Sequence, residues 1–380
     1  MRVKINRKEL FGYLKSMIRI VPQSHNIIEL LGFLVECNED DGFVYITASS
    51  IETSMQCKFK ASIEEGGSFV VNARMFLGIT ERLGGEDVLL EYTGNLLGIT
   101  SERCRYDIPV LNARNYPKPD IPFPDDLLKI SGICSLYSKT SASVGTDDKK
   151  PALTGIHLDI YSDMVQAASC DTHRMAVTEN KCDCGGKLSV TIPKRSFFYL
   201  ANAVEDKDVL EFGLCGASVV FLKSDMLFST RILSGPFMNV DVLLKPADKK
   251  LIAKIKSADM RTMVDSVALI ESGSEDTAPV ALKVKENGVQ LSIESTDASS
   301  TLDVPAQIID GVGREFYYTA KYFTDMLKVI SGDVDVSMTS SGILYVSNNK
   351  SEYMLMNVRN REVKRKAKKA ATKANTKKAA

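Results

Sequence analysis

The pattern of apolar and polar positions along the chain repeats three times. Each copy contains an alternating strand, a short turn, a helix that begins near a basic residue, and two further alternating strands. The basic residues at those helix starts are Arg74, Arg195 and Lys321, which lie 121 and 126 positions apart. Similarity at a steady spacing predicts repeated structural units, here of roughly 120 residues each.

The upstream half of each copy also recurs. Helical periodicity predicts helices over Arg7–Val21, Leu127–Ser141 and Asp259–Ile270, and each leads into a pair of alternating strands. Asp41-Gly42 and Asn287-Gly288 stand between alternating apolar runs, which is typical of β-hairpin turns. Each repeat is therefore predicted to combine two helices with an antiparallel sheet, and the predicted fold class is α+β.

The repeat also predicts the domain organisation. The proline-rich stretch Asn115–Asp125 is typical of a linker between the first two repeats, and Lys245–Lys250 is predicted to link the second and third. The predicted domains are 1–122, 123–246 and 247–360, followed by a basic tail, 361–380.

Charge is distributed unevenly along the chain. There are 48 basic and 48 acidic residues in total, but the segment Lys364–Ala380 carries eight basic residues and no acidic one. Without that segment, 40 basic residues stand against 48 acidic ones, a formal charge of −8. An acidic body with a basic tail indicates a polyanionic partner, and like charges without an apolar face predict that the tail is disordered.

The predicted helices place basic residues opposite their apolar faces. In the first helix Leu10, Leu14 and Met17 share one face, and basic side chains fall on the other. The same periodicity predicts exposed positions for Tyr199 and Thr324 in later helices. A solvated face explains any single helix, but recurrence in an acidic chain favours contact with a phosphate backbone without base readout. The candidate residues for contact with a phosphate backbone are Lys8, Lys15, Arg19, Arg74, Lys139, Arg195, Arg261, Lys321 and Lys328.

Composition narrows the class of protein. A chain of 380 residues with 44% hydrophobic and 25% charged residues is typical of globular domains, which excludes collagen-like, disulfide-scaffold and fully disordered classes. No apolar run approaches the roughly 20 residues of a spanning helix, and the first residues lack a signal peptide's apolar stretch. We therefore expect a cytoplasmic protein with no membrane partner, whose eight cysteines are reduced thiols.

Catalytic motifs are mostly absent from the sequence. It contains no P-loop, no H-E-x-x-H, no G-x-S-x-G and no G-x-G-x-x-G, so no enzymatic activity and no cofactor are predicted. Cys170, His173, Cys182 and Cys184 are zinc-ligand types, but the C-x-C spacing is tighter than in common structural zinc sites. Reduced thiols are the preferred interpretation over a metal site. Asp171 lies close to His173, but no nucleophile is evident for a catalytic dyad.

Four segments resemble one known family. They read PALTGIHLDIYSDMVQAASCDTHRMAV, VTIPKRSFFYLANAV, FSTRILSGPF and YMLMNVR, and they are similar to the bacterial DNA polymerase III beta subunit, the sliding clamp. The resemblance, which spans about residues 1–360, implies the DNA clamp fold, no enzymatic activity, and a nucleoid-associated homodimeric ring whose inner helices face duplex DNA. The family's basic loop after the first helix reads PQSHN here, which adds His25 to the DNA-facing candidates.

The resemblance also implies an outer groove that binds short peptides of the replicative polymerase and the clamp loader. Methionines suit such a groove because flexible thioethers adapt to several partner sequences. The family's D-G-H-R-L reads D-T-H-R-M here, and its closing M-P-M-R reads M-N-V-R. A final core strand over Met354–Val358 is the alternative interpretation. The implied groove residues are Leu153, Thr172, His173, Arg174, Met175, Met238, Leu243, Met354, Leu355, Met356 and Val358.

The seam of the ring is placed by the same resemblance. It implies that Tyr106 and Ile108, on a strand of the first repeat, meet Leu269 and Ile270 of a second copy. Two chains of three repeats would close a ring of six units by a head-to-tail contact. The sequence therefore predicts a polymerase processivity factor, and a monomeric DNA-binding or regulatory protein that reuses the clamp fold is the alternative.

Overall fold

A computed structural model describes residues 1–121, 123–271, 279–294 and 298–359, so the predicted basic tail, 361–380, lies outside the described residues. The helices are α1 (Arg7–Met17), α2 (Ala73–Arg82), α3 (Ile133–Thr140), α4 (Lys194–Ala203), α5 (Val240–Leu244), α6 (Ser257–Met260), α7 (Thr262–Glu271) and α8 (Ala320–Val329). The strands are β1 (Arg2–Asn6), β2 (Gly32–Cys37), β3 (Phe43–Ser49), β4 (Thr53–Lys60), β5 (Ser62–Glu65), β6 (Gly67–Asn72), β7 (Asp87–Thr93), β8 (Leu96–Ser101), β9 (Cys104–Leu111), β10 (Leu128–Ile130), β11 (Gly155–Ile160), β12 (Met164–Cys170), β13 (Arg174–Lys181), β14 (Leu188–Pro193), β15 (Leu210–Cys215), β16 (Ser218–Lys223), β17 (Met226–Arg231), β18 (Lys250–Lys256), β19 (Pro279–Lys285), β20 (Gly288–Glu294), β21 (Ser299–Pro305), β22 (Gln307–Ile308), β23 (Glu315–Thr319), β24 (Asp333–Met338), β25 (Leu344–Ser347), β26 (Ser351–Leu355) and β27 (Asn357–Val358).

The chain divides into two compact units. The first comprises Met1–Tyr137, His157–Val165 and Asn180–Gly235, and the second comprises Ser138–Ile156, Gln166–Glu179 and the described residues from Pro236 onward. The division into three repeats at residues 122 and 246, and the ring of six units, stay predictions. The described helices are all too short or too polar to cross a membrane.

A thirteen-stranded antiparallel sheet runs through the first compact unit in the order β10-β15-β16-β17-β4-β3-β2-β6-β9-β8-β7-β1-β5. Strand β17 pairs with β4, with Phe228 opposite the buried Met55, so the sheet is continuous across the first two predicted repeats. Strand β9 pairs with β8 from Cys104 to Pro109 and with β6 only at Val110 and Leu111. Within the described residues, the first part of β9 is therefore paired on one side.

The second compact unit contains two antiparallel arrangements of strands. One runs in the order β13-β26-β25-β24-β18-β22, and the other is the five-stranded sheet β21-β20-β19-β23-β27. Helix α8 packs Phe323, Met326 and Leu327 into the core beside these sheets, because its apolar residues recur at helical spacing. Antiparallel sheets with few helices confirm the predicted α+β class.

Helix α1 begins where the sequence predicts and ends earlier. The side-chain oxygen of Asn6 accepts a hydrogen bond from the Glu9 N–H at 3.1 Å and caps the helix. Leu10 and Leu14 are fully buried, as the periodicity predicts. The helix ends at Met17 rather than Val21. Pro22 disfavours helical backbone at Val21, so the helix does not extend to the predicted end.

Two other predicted helices are interrupted. The stretch 127–141 begins with β10 and turns into α3 only after Gly132, whose φ of 76° breaks the helical backbone. The stretch 259–270 is divided between α6 and α7, with Arg261 between them. The hairpin predicted at Asp41-Gly42 is confirmed, and Gly42 supplies its left-handed residue at a φ of 70°.

The predicted exposure of two helix residues is wrong. Tyr199 is 5% exposed and Thr324 is 6% exposed. The Tyr199 hydroxyl accepts a hydrogen bond from Arg195, and the Thr324 hydroxyl donates to the Lys321 carbonyl at 3.1 Å. Both side chains bury their apolar atoms while their polar atoms find partners on the same helix.

One turn conformation occurs twice in the chain. Ile51, after β3, has a φ of 72°, and Thr172, after β12, has a φ of 75°, although branched side chains disfavour this left-handed region. The N–H of each residue donates to a side chain two positions earlier, to Ser49 Oγ at 3.1 Å and to Cys170 Sγ at 3.4 Å. The Ser50 N–H donates to the Thr53 carbonyl at 2.9 Å, and the Asp171 N–H donates to the Arg174 carbonyl at 3.2 Å. The two turns lie 121 positions apart, as do the first two helix-opening arginines.

Candidate functional site

Five predicted groove residues belong to one apolar cluster in the second compact unit: Leu153, Met175, Met238, Leu243 and Met354. Met175 on β13 and Met354 on β26 face each other across paired strands. Leu153 comes from a short 3-10 turn before β11 and is 8% exposed. Met238 and Leu243 are half-buried, so they supply the accessible part of the cluster.

Sequence reasoning missed several members of this cluster. Phe237, Val240 and Tyr345 also contact it, and Cys170 is buried within it. The Tyr345 hydroxyl donates to the Leu243 carbonyl at 3.0 Å, and burial raises the pKa of Tyr345 to about 12. Their positions in the sequence could have indicated two of them, because Phe237 and Val240 lie within a few residues of the predicted Met238 and Leu243.

Helix α5 forms one side of the cluster. Its N-terminus is capped by Asn239, whose side-chain oxygen accepts the Val242 N–H at 3.2 Å. At the other end Lys249 Nζ donates to the Leu244 carbonyl at 2.9 Å, lies 4.5 Å from the Tyr345 ring centroid and pairs with Glu352. These contacts hold α5 in place, and Val242 on this helix is 69% exposed.

Arg174 is buried rather than exposed in the groove. It is 7% exposed, and its guanidinium contacts the Asp171 carboxylate at 2.9 Å and the Asp325 carboxylate at 2.8 Å. It also stacks on the Tyr322 ring, 4.1 Å from the centroid. Asp325 lies 4.0 Å from Lys328 on the same helix, α8. Arg174 therefore fixes the turn before β13 onto α8.

The turn itself presents exposed groups beside the methionines. Thr172 and His173 are both exposed, and Asp171 Oδ1 accepts the His173 N–H at 3.0 Å. The His173 carbonyl accepts the Met356 N–H at 2.8 Å, which places the chain after β26 next to the turn. Met356 is 41% exposed. The turn and Met356 thus form a continuous rim at this edge of the cluster.

Two predicted groove residues lie elsewhere. Leu355 is 2% exposed and packs into the other core of the second compact unit, with Phe323 and Leu327. Val358 lies on β27 opposite Tyr317 of the five-stranded sheet. The core-strand interpretation therefore describes Leu355, whereas Met354 belongs to the apolar cluster.

The candidate DNA-facing residues differ in exposure. Eight are exposed, while His25 and Lys139 are half-buried; the exposed ones are Lys8, Lys15, Arg19, Arg74, Arg195, Arg261, Lys321 and Lys328. Arg74 donates to the Pro22 carbonyl at 3.3 Å, and Arg261 donates to the Ile330 carbonyl at 3.3 Å. Backbone carbonyls just after α1 and α8 therefore hold these two arginines.

The predicted seam residues divide into two exposed and two buried side chains. Tyr106 is 39% exposed on the one-sided part of β9, and Leu269 is 76% exposed on α7. Ile108 and Ile270 are 6% and 7% exposed, so both pack inside the single chain. An edge segment with an exposed aromatic residue is open to pairing with another chain.

The zinc-ligand residue types do not assemble into a cluster. Across the described ranges, no group of three or more histidine, cysteine, aspartate and glutamate side chains could hold a metal ion. All eight cysteines are free thiols. Burial raises the pKa of the Cys170 thiol, which therefore stays protonated at neutral pH.

The antiparallel sheets and the helices define an α+β protein. Residues 1–120 match the family model of the DNA polymerase III beta subunit N-terminal domain, and residues 128–239 match that of its central domain. The chain belongs to the DNA polymerase III beta subunit family.

Relatives and solved structures agree with this family. The chain is 26% identical to the beta sliding clamp of Bacillus subtilis (strain 168), over 90% of this chain and 94% of the relative. The crystal structure of the Bacillus subtilis DNA polymerase sliding clamp superposes with a TM-score of 0.86 at 22% identity, covering 95% of this chain and 99% of that one. The Pseudomonas aeruginosa sliding clamp bound to griselimycin superposes with a TM-score of 0.85 at 18% identity, covering 94% and 99%.

Proposed function

We propose that this chain is a DNA polymerase processivity factor, a sliding clamp that tethers a replicative polymerase to duplex DNA. The observation that carries the proposal is similarity to named beta sliding clamps along nearly the whole chain, combined with the same fold. The protein acts by binding rather than by catalysis, so its work depends on three surfaces: a ring seam, a DNA-facing side and a peptide groove.

Topological retention tests the function directly. A closed ring loaded by a clamp loader stays on circular DNA at high salt, because salt screens phosphate contacts but does not open the ring. The same protein slides off after the circle is cut. Equal salt-sensitive release from circular and linear DNA would contradict the clamp and favour a monomeric DNA-binding protein that reuses the fold.

The proposed seam joins the one-sided part of β9 to α7 of a second copy. Tyr106 and Leu269 are the appropriate positions to change, because they are exposed, whereas charges at Ile108 and Ile270 would also disturb the core. Tyr106→Glu combined with Leu269→Glu is expected to convert a dimer into a monomer. Val312→Glu is a matched control, since Val312 is 56% exposed and belongs to none of the three proposed surfaces. A wild-type monomer at micromolar concentration in analytical ultracentrifugation would overturn the seam.

The proposed peptide groove is the cluster around Met238 and Leu243 together with the rim at Met356. Its support is an apolar surface that is accessible but backed by buried residues, which suits short peptides with apolar anchors. Met238→Asp with Met356→Asp is expected to abolish binding of a polymerase-derived peptide and leave the oligomer mass unchanged. Val209→Asp is the matched control, since Val209 is 56% exposed in the first compact unit. Unchanged peptide affinity in the double variant would refute the assignment.

The proposed DNA contacts are weak and independent of base sequence, because a sliding protein must avoid base-edge hydrogen bonds. The exposed Lys15 and Lys321 are representative, and each is expected to contribute about 0.9 to the slope of log affinity against log salt if it contacts a phosphate. Lys15→Ala and Lys321→Ala should lower affinity equally for unrelated duplexes. Strong discrimination between duplex sequences at physiological salt would contradict this interpretation.

A further inference from the structure

Arg19, just after α1, is held by two residues of α4. Its guanidinium carbon lies 5.0 Å from the centroid of the Phe198 ring, and its Nη1 donates to the side-chain oxygen of Asn202 at 2.8 Å. Arg19 is exposed. An exposed arginine therefore has a fixed orientation although its long side chain would otherwise sample many rotamers.

The two residues that hold Arg19 are themselves fixed. Asn202 Nδ2 donates to the Phe198 carbonyl at 2.7 Å, which turns the Asn202 oxygen towards the arginine. The Phe198 ring packs 5.7 Å from the ring of Tyr137. The arginine thus rests on a side chain that is supported from α3 and an amide that is supported from its own helix.

A guanidinium has five N–H donors, and its planar shape matches the oxygens of a phosphate. Stacking on a ring uses the face of the group, so its donors stay directed to the sides. A second arginine contacts an aromatic side chain on α4. Arg195 lies 5.7 Å from the Tyr199 ring centroid and donates to the Tyr199 hydroxyl. Helix α4 therefore orients two exposed arginines by aromatic side chains.

We propose that Phe198 and Asn202 are positioning residues that hold the Arg19 guanidinium ready for a backbone phosphate of duplex DNA. The inference rests on the proposed function, in which the basic faces of α1 and α4 lie towards DNA. Phe198 and Asn202 act through Arg19. Their effect is to remove rotamer freedom before binding, which lowers the entropic cost of the phosphate contact.

Binding to a short linear duplex, followed by fluorescence anisotropy at several salt concentrations, tests this arrangement without topological retention. Arg19→Ala is expected to reduce the salt slope by about 0.9, the value of one phosphate contact. Asn202→Ala is expected to weaken binding about threefold, in line with the modest net energy of one hydrogen bond. In the Arg19→Ala background, Asn202→Ala should have no further effect. Alanine is a good helix former, so Asn202→Ala leaves α4 intact, which thermal unfolding checks.

Phe198 gives a conservative comparison. Phe198→Tyr keeps the aromatic face and should bind like the wild type, whereas Phe198→Leu should weaken binding as Asn202→Ala does. Additive losses from Arg19→Ala and Asn202→Ala, or no loss from Asn202→Ala, would overturn the inference. If Lys15→Ala and Lys321→Ala weaken binding while the Arg19 and Asn202 variants do not, only this inference fails. If all four variants bind like the wild type, the proposed DNA-facing side fails with it.

Discussion

Replacing Arg174 with alanine is expected to lower the free energy of unfolding by about 3 kcal/mol. The change leaves the Asp171 and Asp325 carboxylates without their shared partner, and their side chains are only 13% and 21% exposed. Breaking a buried ion pair by removing one partner costs about 3–5 kcal/mol, and the partial exposure of both carboxylates places the expected value at the lower end. The lost stacking on Tyr322 acts in the same direction.

Urea unfolding followed by circular dichroism measures this loss. Lys245→Ala is the matched control, because it removes an ion pair with Asp241 whose side chains are 74% and 78% exposed. That control is expected to change stability by less than about 0.5 kcal/mol. Arg174→Met separates charge from packing, because methionine restores much of the side-chain volume without the charge. If the lost ion pairs account for most of the destabilisation, Arg174→Met should be nearly as destabilising as Arg174→Ala. An Arg174→Ala protein within about 0.5 kcal/mol of the wild type would refute the reasoning.

Three further predictions concern other positions. Thr172→Gly should raise the free energy of unfolding by about 0.5–1 kcal/mol, because relief of left-handed strain exceeds the added backbone entropy; a lower urea midpoint would contradict it. The pKa of Asp208 lies below its usual 3.8, first because the Glu205 N–H donates to it and also because Lys223 lies 2.9 Å away. Asp208→Asn should therefore destabilise at neutral pH, and its difference from the wild type should vanish in urea titrations as the pH falls through that lowered pKa. Deleting Lys364–Ala380 should flatten the salt slope of DNA binding, by at most about seven units for eight cations, and should leave the number of chains in the oligomer unchanged.

Each of these three has an outcome that separates it from a trivial effect. A stability gain at Thr172 must appear without a change in the slope of the urea transition, since a changed slope indicates an altered denatured state. A difference for Asp208→Asn that persists below the lowered pKa would indicate lost packing rather than lost charge. An unchanged salt slope after deletion would remove the DNA role of the tail, and loss of the dimer would assign the segment to the fold.

The helical spacing of apolar residues correctly predicted that apolar residues of α1 and α8 are buried. The apolar faces around Leu14 and Phe323 follow from helical spacing, and both are buried as expected. The outer faces were harder to predict, because a helical period does not indicate what packs beside a helix. Tyr199 is an example. It lies opposite the main apolar residues of α4, yet it is 5% exposed and contacts Phe198 and Arg195 of the same helix.

The site shows a similar division. Met354 and Leu355 are adjacent in sequence but lie in different cores, because successive strand residues point to opposite faces. Family resemblance placed both in the groove without resolving that alternation. Arg174 was placed there as well, but its second carboxylate partner, Asp325, lies 151 positions away and could not be read from local sequence. The polar interactions that fix the site depend on tertiary contacts.

The left-handed turn that occurs at Ile51 and again at Thr172 bears on how residue identity relates to backbone conformation. The five residues Ser49–Thr53 and the five residues Cys170–Arg174 share no identical position, yet each turn has a left-handed central residue and two equivalent hydrogen bonds. Two different sequences therefore support the same left-handed position between paired strands. Because Ile51 adopts the same left-handed φ, this conformation at Thr172 is not specific to the proposed peptide groove.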